Sequence, residues 1–340
     1  MSSVIDFTGG NNSTLDKLNL KDRENLELNR HVSLVESDFY MRPDSKELVY
    51  DSSCVLNNVH WGQLKLFYSE FFVILKHLPE TVNTVLYVGA ANGSHIFVLA
   101  KLFPNLTFYL YDSQRFDKRL YKLINVKIFK KYFDEEEMKK WKEKNIPVFF
   151  ISDIRNLTYD SMAKDDDMRV KNEKDVWDDM KLQESWIKEL KPVISLVKFR
   201  LPFAYDFILE EGKERNYLDG EVCFQTYNKP TSSESRLLIQ SLEEKEWDII
   251  EYERKMYYHN CVTRNKKKFL NPINNSTRAI YPTKGLFNDY DSTCLTVLVM
   301  EYIKRTSERV TEKEIKNKID FILDNLSTRK FNLNFKRAGF

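Results

Sequence analysis

The sequence predicts an α/β fold in which helices flank a doubly wound, mostly parallel sheet. Apolar runs of strand length alternate with segments of helical periodicity between residues 61 and 200. The first run, Thr84–Val88, leads into a turn with two glycines. The run at 107–111 is followed by Asp112, and the run at 147–153 ends at Asp153. The chain has 340 residues, of which 42% are hydrophobic, so a large core can form.

The predicted elements follow one another without an internal repeat. The first helix, 61–78, carries apolar residues at helical spacing from Leu64 to Leu78. The elements after it, up to residue 200, are strand Thr84–Val88, helix Ile96–Phe103, strand Thr107–Tyr111, strand Val126–Phe129, helix Glu135–Lys144, strand 147–153, a charged loop at 160–172, helix 174–190 and strand 192–200.

The chain divides into three predicted parts. Residues 1–45 are polar and are interpreted as an N-terminal arm that is partly disordered. Residues 46–310 form the main domain, which closes with helices expected at 252–264 and 291–306. Residues 311–340 are predicted to be a helix, opened by a Thr311–Glu314 capping box, and a basic tail.

Composition narrows the classes of protein to which this chain can belong. No run of about 18 apolar residues occurs, so no membrane span is expected, and the first residues lack the pattern of a signal peptide. The four cysteines have no CxxC spacing, which argues against a zinc site or a disulfide framework and favours a reducing compartment. The acidic run Asp165–Asp167 is interpreted as a solvated loop, so no metal is expected. A net charge of +2 leaves nucleic-acid binding open.

The turn "GAANGS" after the first strand is a candidate ligand site. Gly89 and Gly93 allow close backbone approach, and Asp112 stands about 20 residues on, where an acid grips ribose hydroxyls. The spacing is not GxGxxG, so the pattern favours a nucleoside without phosphates, such as S-adenosylmethionine. The alternative, of equal weight, is a tight turn with Asp112 capping a helix.

Four charged residues stand at informative places: Lys65 within an apolar helix, Asp153 and Lys198 at the ends of strands, and Glu234 after a polar loop. A lysine acts as a base only when its pKa falls from about 10.4 towards neutrality, which burial or a nearby cation favours. Taken singly, each residue is more simply an ordinary salt-bridge partner.

Several segments in order resemble one family over residues 46–305. They are "GQLKL" (62–66), "YVGAANGSH" (87–95), "ISDIR" (151–155), "KFRLPF" (198–203), "SESRLL" (233–238) and "YERKMYYHNCVTRNK" (252–266). They are similar to the poxvirus cap-specific mRNA nucleoside-2′-O-methyltransferase family, whose members double as the small, stimulatory subunit of the viral poly(A) polymerase. The resemblance implies a Rossmann-like class I S-adenosylmethionine-dependent methyltransferase fold, capped mRNA as substrate, and a host-cytoplasmic or virion location.

The resemblance also implies roles for individual residues. The catalytic set falls on Lys65, Asp153, Lys198 and Glu234, with Lys198 as the base for the ribose hydroxyl. The cofactor role falls on Gln63, Tyr87, Gly89, Gly93, His95, Asp112, Arg115, Tyr132, Phe133, Asp153 and Arg155. The 7-methylguanine role falls on Tyr50, Phe203, Tyr205 and Glu253, with the base stacked between two aromatic rings.

The sequence departs from the family pattern at three positions. Asn92 replaces a proline in the cofactor turn, Tyr205 replaces an acid of the cap pocket, where Asp206 is a shifted substitute, and Thr231 replaces a tyrosine before the last catalytic acid. The resemblance therefore supports methyl transfer more strongly than it supports cap binding.

Other interpretations stay open at this point. One is a non-enzymatic, RNA-binding subunit of a poly(A) polymerase, alone or combined with the enzyme. Another is a methyltransferase for guanine N7, which needs no lysine base, and the weakest is a dinucleotide oxidoreductase. Basic residues at Arg254, Lys255, Arg264 and 266–268 either meet RNA phosphates or form a solvated helix face.

Overall fold

The computed structural model describes residues 31–32, 34–51, 60–155, 166–203, 212–229, 232–270, 289–306 and 309–326. The strands are β1 His31–Val32, β2 Thr84–Val88, β3 Thr107–Tyr111, β4 Val126–Phe129, β5 Val148–Ser152, β6 Ile194–Phe199, β7 Glu214–Leu218, β8 Glu221–Cys223, β9 Ser235–Ile239, β10 Glu244–Asp248 and β11 Lys268–Phe269. The helices are α1 Gly62–Lys76, α2 Ser94–Leu102, α3 Glu135–Lys144, α4 Asp166–Leu190, α5 Ile249–Tyr258, α6 Tyr290–Thr306 and α7 Glu312–Leu326.

Seven strands form the central sheet in the order β4-β3-β2-β5-β6-β9-β8. The first five are parallel, and β9 and β8 add an antiparallel edge. Parallel strands carry their carboxyl ends to one edge of a sheet, where ligands of this architecture bind. The predicted doubly wound α/β fold is confirmed, and this edge holds the turn after β2 and the ends of β5 and β6.

Side chains of the strands alternate between two cores, because neighbours on a strand point to opposite faces. Val85 and Tyr87 pack with α1, α2, α6 and α7 on one face. Leu86 and Val88 pack with α3, α4 and α5 on the other. The sheet is therefore covered on both faces, as a parallel sheet requires.

The structure corrects several predicted boundaries. Helix α4 begins at Asp166, so the charged loop expected at 160–172 is helical in its second part. Helix α5 begins at Ile249, because the Asp248 carboxylate accepts hydrogen bonds from the amides of Ile250 and Glu251. It continues as a π-helix at His259–Thr263. Strands β7, β8, β9 and β10 were not predicted, because charged residues interrupt their apolar pattern. The two-residue strands β1 and β11 were not predicted either.

The ends of the chain are only partly within the described ranges. Phe39 and Tyr40, assigned to the arm from sequence, are buried in the first core. Helix α7 begins with the expected capping box, in which the Glu314 amide donates to Thr311 Oγ1 and the Thr311 amide to Glu314 Oε2. The earlier part of the arm and the basic tail lie outside the described residues. No helix in the described parts of the chain is long and apolar enough to cross a membrane.

Candidate active site

The glycine turn closes tightly against the end of strand β5. Gly89 has φ +79° and Gly93 φ +74°, in the left-handed region that favours glycine. A Cβ on Gly89 would lie 2.9 Å from the carbonyl carbon of Asp153, and a Cβ on Gly93 would lie 2.9 Å from Leu120 Cδ1. The close approach expected from sequence is therefore present, and it brings the turn beside Asp153.

We expect Gly89→Ala to destabilise the protein by about 1–3 kcal/mol, because alanine meets both a positive φ and a backbone contact. Urea unfolding measures the change. Gly62→Ala is the matched control, since a Cβ on Gly62 meets no atom of the described residues within 4 Å. An equal, small change in both variants would contradict the role assigned to the Gly89 conformation.

Asp112 stands at the end of β3 and holds the turn from the other side. Its Oδ2 accepts a hydrogen bond of 3.0 Å from the Ala91 amide, and its Oδ1 accepts one of 2.8 Å from the Gln114 amide. Each carboxylate oxygen has a second lone pair, so the side chain can still accept hydrogen bonds from hydroxyl groups. The alternative made from sequence, in which Asp112 caps a helix, is wrong, because residues 112–119 contain no helix. Contact between Asp112 and a ligand stays a prediction.

The four charged residues singled out from sequence form two ion pairs. Lys65 Nζ, from α1, lies 2.5 Å from Glu234 Oε1, just before β9. Lys198 Nζ, near the end of β6, lies 2.9 Å from Asp153 Oδ1 at the end of β5. All four side chains are at least four-fifths buried. Folding therefore gathers residues that are up to 169 positions apart in the chain.

A fifth charged residue, Arg236, completes this cluster and was not predicted. Its Nη2 donates to Asp153 Oδ1 at 2.7 Å, and its Nη1 donates to the Ser152 carbonyl at 3.2 Å. The side chain is 2% exposed. Arg236 lies directly opposite Lys198 in the β6–β9 register and two residues after Glu234. No local signal in the sequence marks Arg236, because it joins the cluster only when β9 pairs with β6.

Electrostatics of the cluster keep its acids ionised. Burial raises the pKa of Asp153, but Arg236 and Lys198 outweigh it and lower the pKa to about 2. Burial likewise opposes ionisation of Glu234, and Lys198 and Lys65 outweigh it, so its pKa also falls below the ordinary value. The pKa of Lys65 is lowered, because burial outweighs its pairing with Glu234.

This pattern predicts an acid-sensitive contribution to stability. A carboxyl group with a lowered folded pKa stabilises the protein above its ordinary pKa and loses that contribution as pH falls towards the folded value. Between pH 4 and 2 we expect Asp153 to account for about 2 kcal/mol of the lost unfolding free energy. Urea unfolding across this range should show a shallower pH slope for Asp153→Asn than for the unaltered protein; parallel slopes would contradict it.

The residues assigned to the cofactor lie at different depths. Gln63 is half-buried beside the turn, and its Oε1 accepts from Ser94 Oγ at 2.6 Å. Tyr87 and His95 are 0% and 1% exposed, so their side chains lie beneath the turn. Arg115 and Tyr132 are exposed. Phe133 is buried, with its ring edge-to-face against Tyr111 at 5.1 Å and Trp186 at 5.4 Å, and Arg155 Nη1 is 3.9 Å from Asp179 Oδ2.

Of the residues assigned to the cap, Tyr50 lies beside helix α5 and Glu253 lies on it. Tyr50 is 52% exposed, and its ring lies 5.0 Å from that of Tyr257, one turn after Glu253. Phe203 follows β6 and carries the Arg200 guanidinium over its ring at 4.5 Å. Tyr205, Asp206 and Thr231 lie outside the described residues.

Comparison with known proteins decides the family. The model of the poly A polymerase regulatory subunit family matches residues 39–326, far more than half of the chain. The chain belongs to the poly(A) polymerase regulatory subunit family.

Individual relatives carry a second name. The chain is 31% identical over 224 residues to the cap-specific mRNA (nucleoside-2′-O-)-methyltransferase of Fowlpox virus (strain NVSL), covering 60% of this chain and 68% of the relative. It is 28% identical over 255 residues to the protein of the same name from Myxoma virus (strain Lausanne), covering 69% and 72%. The resemblance stated from sequence is therefore confirmed. The observed sheet agrees with the Rossmann-like methyltransferase fold that it implied.

Two of the basic residues in the 252–268 segment, Lys255 and Arg264, are buried. Neither contact with RNA phosphates nor a solvated helix face, the two interpretations made from sequence, holds for them. Lys255 is buried and its Nζ donates to the carbonyls of Pro43 at 2.7 Å and Arg42 at 3.3 Å. Arg264 is buried and its Nη2 lies 2.7 Å from Asp291 Oδ2. Both tie helix α5 and its π-helical extension to distant segments. Arg254, Lys266 and Lys268 are exposed and stay candidates for RNA contact.

Proposed function

We propose that this protein is a cap-specific mRNA (nucleoside-2′-O-)-methyltransferase. It moves a methyl group from S-adenosylmethionine to the ribose 2′-hydroxyl of the first transcribed nucleotide of 7-methylguanosine-capped mRNA. The observation that carries the proposal is the buried cluster of Lys65, Asp153, Lys198, Glu234 and Arg236 beside the glycine turn.

The residues around the turn fit S-adenosylmethionine. The glycines leave room for close backbone approach, and Asp112 keeps acceptor capacity for ribose hydroxyls. Gln63, Arg115, Tyr132, Phe133 and Arg155 are the further candidates to hold it. The bound sulfonium supplies an electrophilic methyl group.

Lys198 is proposed to receive the hydroxyl proton. Lys198 must first give up to solvent the proton that makes it the cation of the ion pair. Its amine then accepts the hydroxyl proton as the oxygen attacks, and Asp153, 2.9 Å away, keeps the amine in place. Arg236 shares the Asp153 carboxylate, and Glu234 holds Lys65 as a second cation near the reacting oxygen. Positioning of the two reactants supplies much of the acceleration. As proposed, the step uses no metal.

The cap is proposed to bind near helix α5. Phe203 and Tyr50 offer aromatic faces, which attract the positively charged 7-methylguanine more strongly than the unmethylated base. Glu253 is proposed to read the base edge, and Tyr205 completes the assigned set. Single-stranded RNA after the cap extends over the exposed cations Arg254, Lys266 and Lys268.

Transfer of labelled methyl from S-adenosylmethionine to short RNA tests the proposal. RNA with a 7-methylguanosine cap should gain label. The same RNA without a cap, and capped RNA already 2′-O-methylated at its first nucleotide, should gain none. Label on all three RNAs, or on none, would overturn the assignment.

A second role, as the stimulatory subunit of a poly(A) polymerase, is proposed because the family description names a regulatory subunit. The two roles are compatible on one chain. Co-expression with the poly(A) polymerase catalytic subunit of the same virus, followed by measurement of tail length with and without this chain, tests it. Tails of equal length would contradict the second role and leave methyl transfer untouched.

A further inference from the structure

A buried acid, Glu70, lies beneath the glycine turn and has no part in the reaction proposed above. It belongs to helix α1 and is 2% exposed. Its Oε1 accepts a hydrogen bond of 2.7 Å from the Tyr87 hydroxyl and lies 3.2 Å from His95 Nε2. A buried carboxylate is costly unless it is hydrogen-bonded, and Oε2 of Glu70 is buried with no hydrogen-bond partner among the described residues. The presence of an acid here therefore needs an explanation beyond packing.

The far nitrogen of the same histidine reaches Gln63. His95 Nδ1 lies 3.0 Å from Gln63 Oε1, which also accepts from Ser94 Oγ at 2.6 Å and lies 3.3 Å from the His95 amide nitrogen. A backbone N–H only donates, so the atom of Gln63 that faces it must be the oxygen. The contact thus settles which way the Gln63 amide points.

Hydrogen-bond donors and acceptors then give the direction of two of these contacts. Nδ1 of His95 donates to Gln63 Oε1, and the Tyr87 hydroxyl donates to Glu70 Oε1. On its other side the ring lies against both groups, since His95 Nε2 is 3.2 Å from Glu70 Oε1 and 3.3 Å from the Tyr87 hydroxyl oxygen. Glu70 therefore holds the imidazole ring in place, and the ring holds the Gln63 oxygen.

The other end of the Gln63 amide is its nitrogen, Nε2, which carries two N–H donors. A carboxylate only accepts hydrogen bonds and suits such donors, whereas Asp112 suits hydroxyl groups. We propose that Glu70 is a positioning residue that acts through His95, and that it aims the Gln63 amide at the carboxylate of the amino-acid end of S-adenosylmethionine. This inference rests on the proposed function. Tyr87 and His95, whose side chains are buried, serve the same purpose from behind the turn.

Two ligands that differ only in this end separate positioning from general structure. S-adenosylhomocysteine has the amino-acid end, and 5′-methylthioadenosine has the same nucleoside and thioether without it. Calorimetry with Glu70→Gln should show about tenfold weaker binding of S-adenosylhomocysteine and unchanged binding of 5′-methylthioadenosine. The KM for S-adenosylmethionine should rise by a similar factor, with kcat within about twofold of the unaltered value.

Glu184→Gln is the matched control, because Glu184 is an equally buried, ion-paired glutamate on helix α4. It should change neither affinity. Gln63→Glu is a second variant at a half-buried position, where a carboxylate replaces the two donors. It should lose S-adenosylhomocysteine and keep 5′-methylthioadenosine.

The outcomes separate the two proposals. Equal weakening of both ligands by Glu70→Gln, or no weakening, would overturn the positioning role while the proposed function stands. An unaltered protein that binds neither ligand would overturn the proposed cofactor and the positioning role together.

Discussion

Lys198→Ala is expected to lower kcat for methyl transfer by about a thousandfold, within the range that a general base contributes. The variant should stay folded, because Asp153 keeps its 2.7 Å contact with Arg236 when the lysine is gone. Affinities for cofactor and capped RNA should change little, since the proposed role of Lys198 is confined to the reacting proton. Single-turnover methyl transfer with saturating RNA measures the effect.

Lys198→Arg is the matched control for charge. A guanidinium keeps a cation beside Asp153 but stays protonated at any pH at which the protein is folded, so it cannot accept the hydroxyl proton. Both variants should therefore be inactive to a similar degree. Activity within tenfold of the unaltered protein in Lys198→Arg would show that the position needs only a positive charge and would exclude Lys198 as the base.

Arg236→Met is expected to give the largest loss of stability, about 3–5 kcal/mol of unfolding free energy, because it leaves a buried carboxylate with half its partners. Asp153 then keeps Lys198 as its cation, and the Ser152 carbonyl loses the hydrogen bond from Arg236. Urea unfolding at neutral pH measures the change. Methyl transfer should fall as well, since Asp153 no longer has two cations to hold its orientation.

Lys142→Met is the control for Arg236. Lys142 and Glu189 form an exposed ion pair at 2.7 Å on helices α3 and α4, and exposed pairs contribute about 0–1 kcal/mol. If the two variants lost similar amounts of stability, the Arg236–Asp153 pair would have to be weak, and the cluster would not be organised as the structure indicates.

The five parallel strands of the central sheet could be predicted because most of them are apolar runs, whereas β8 and β9 of the same sheet were not predicted. Strands β2, β3 and β4 appear with the boundaries expected from sequence, and β5 and β6 differ by one or two residues at their ends. The same logic located Asp153 and Lys198, since a charged residue at the end of a buried strand stands at the ligand edge. Local pattern carries this information without knowledge of any distant contact.

The parts that could not be predicted depend on distant contacts. Arg236 joins the cluster only through the antiparallel register of β6 and β9, which no local pattern reveals. The sequence predicts that Lys255 is exposed to solvent on its helix, but a segment more than 200 residues away in the chain covers it. Tyr87 and His95 match the cofactor turn in sequence, but their depth depends on the packing of helix α1.

Residues 38–41 pair with the edge of the central sheet at β8. The Met41 amide donates to the Val222 carbonyl at 2.8 Å, the Phe224 amide to the Phe39 carbonyl at 2.9 Å, and the Tyr290 hydroxyl to the Asp38 carbonyl, 252 residues earlier. During synthesis, residues 38–41 therefore leave the ribosome long before their partners exist. Contacts of such separation slow folding, and residues 38–41 lack their partners on β8 until about two thirds of the chain has been made.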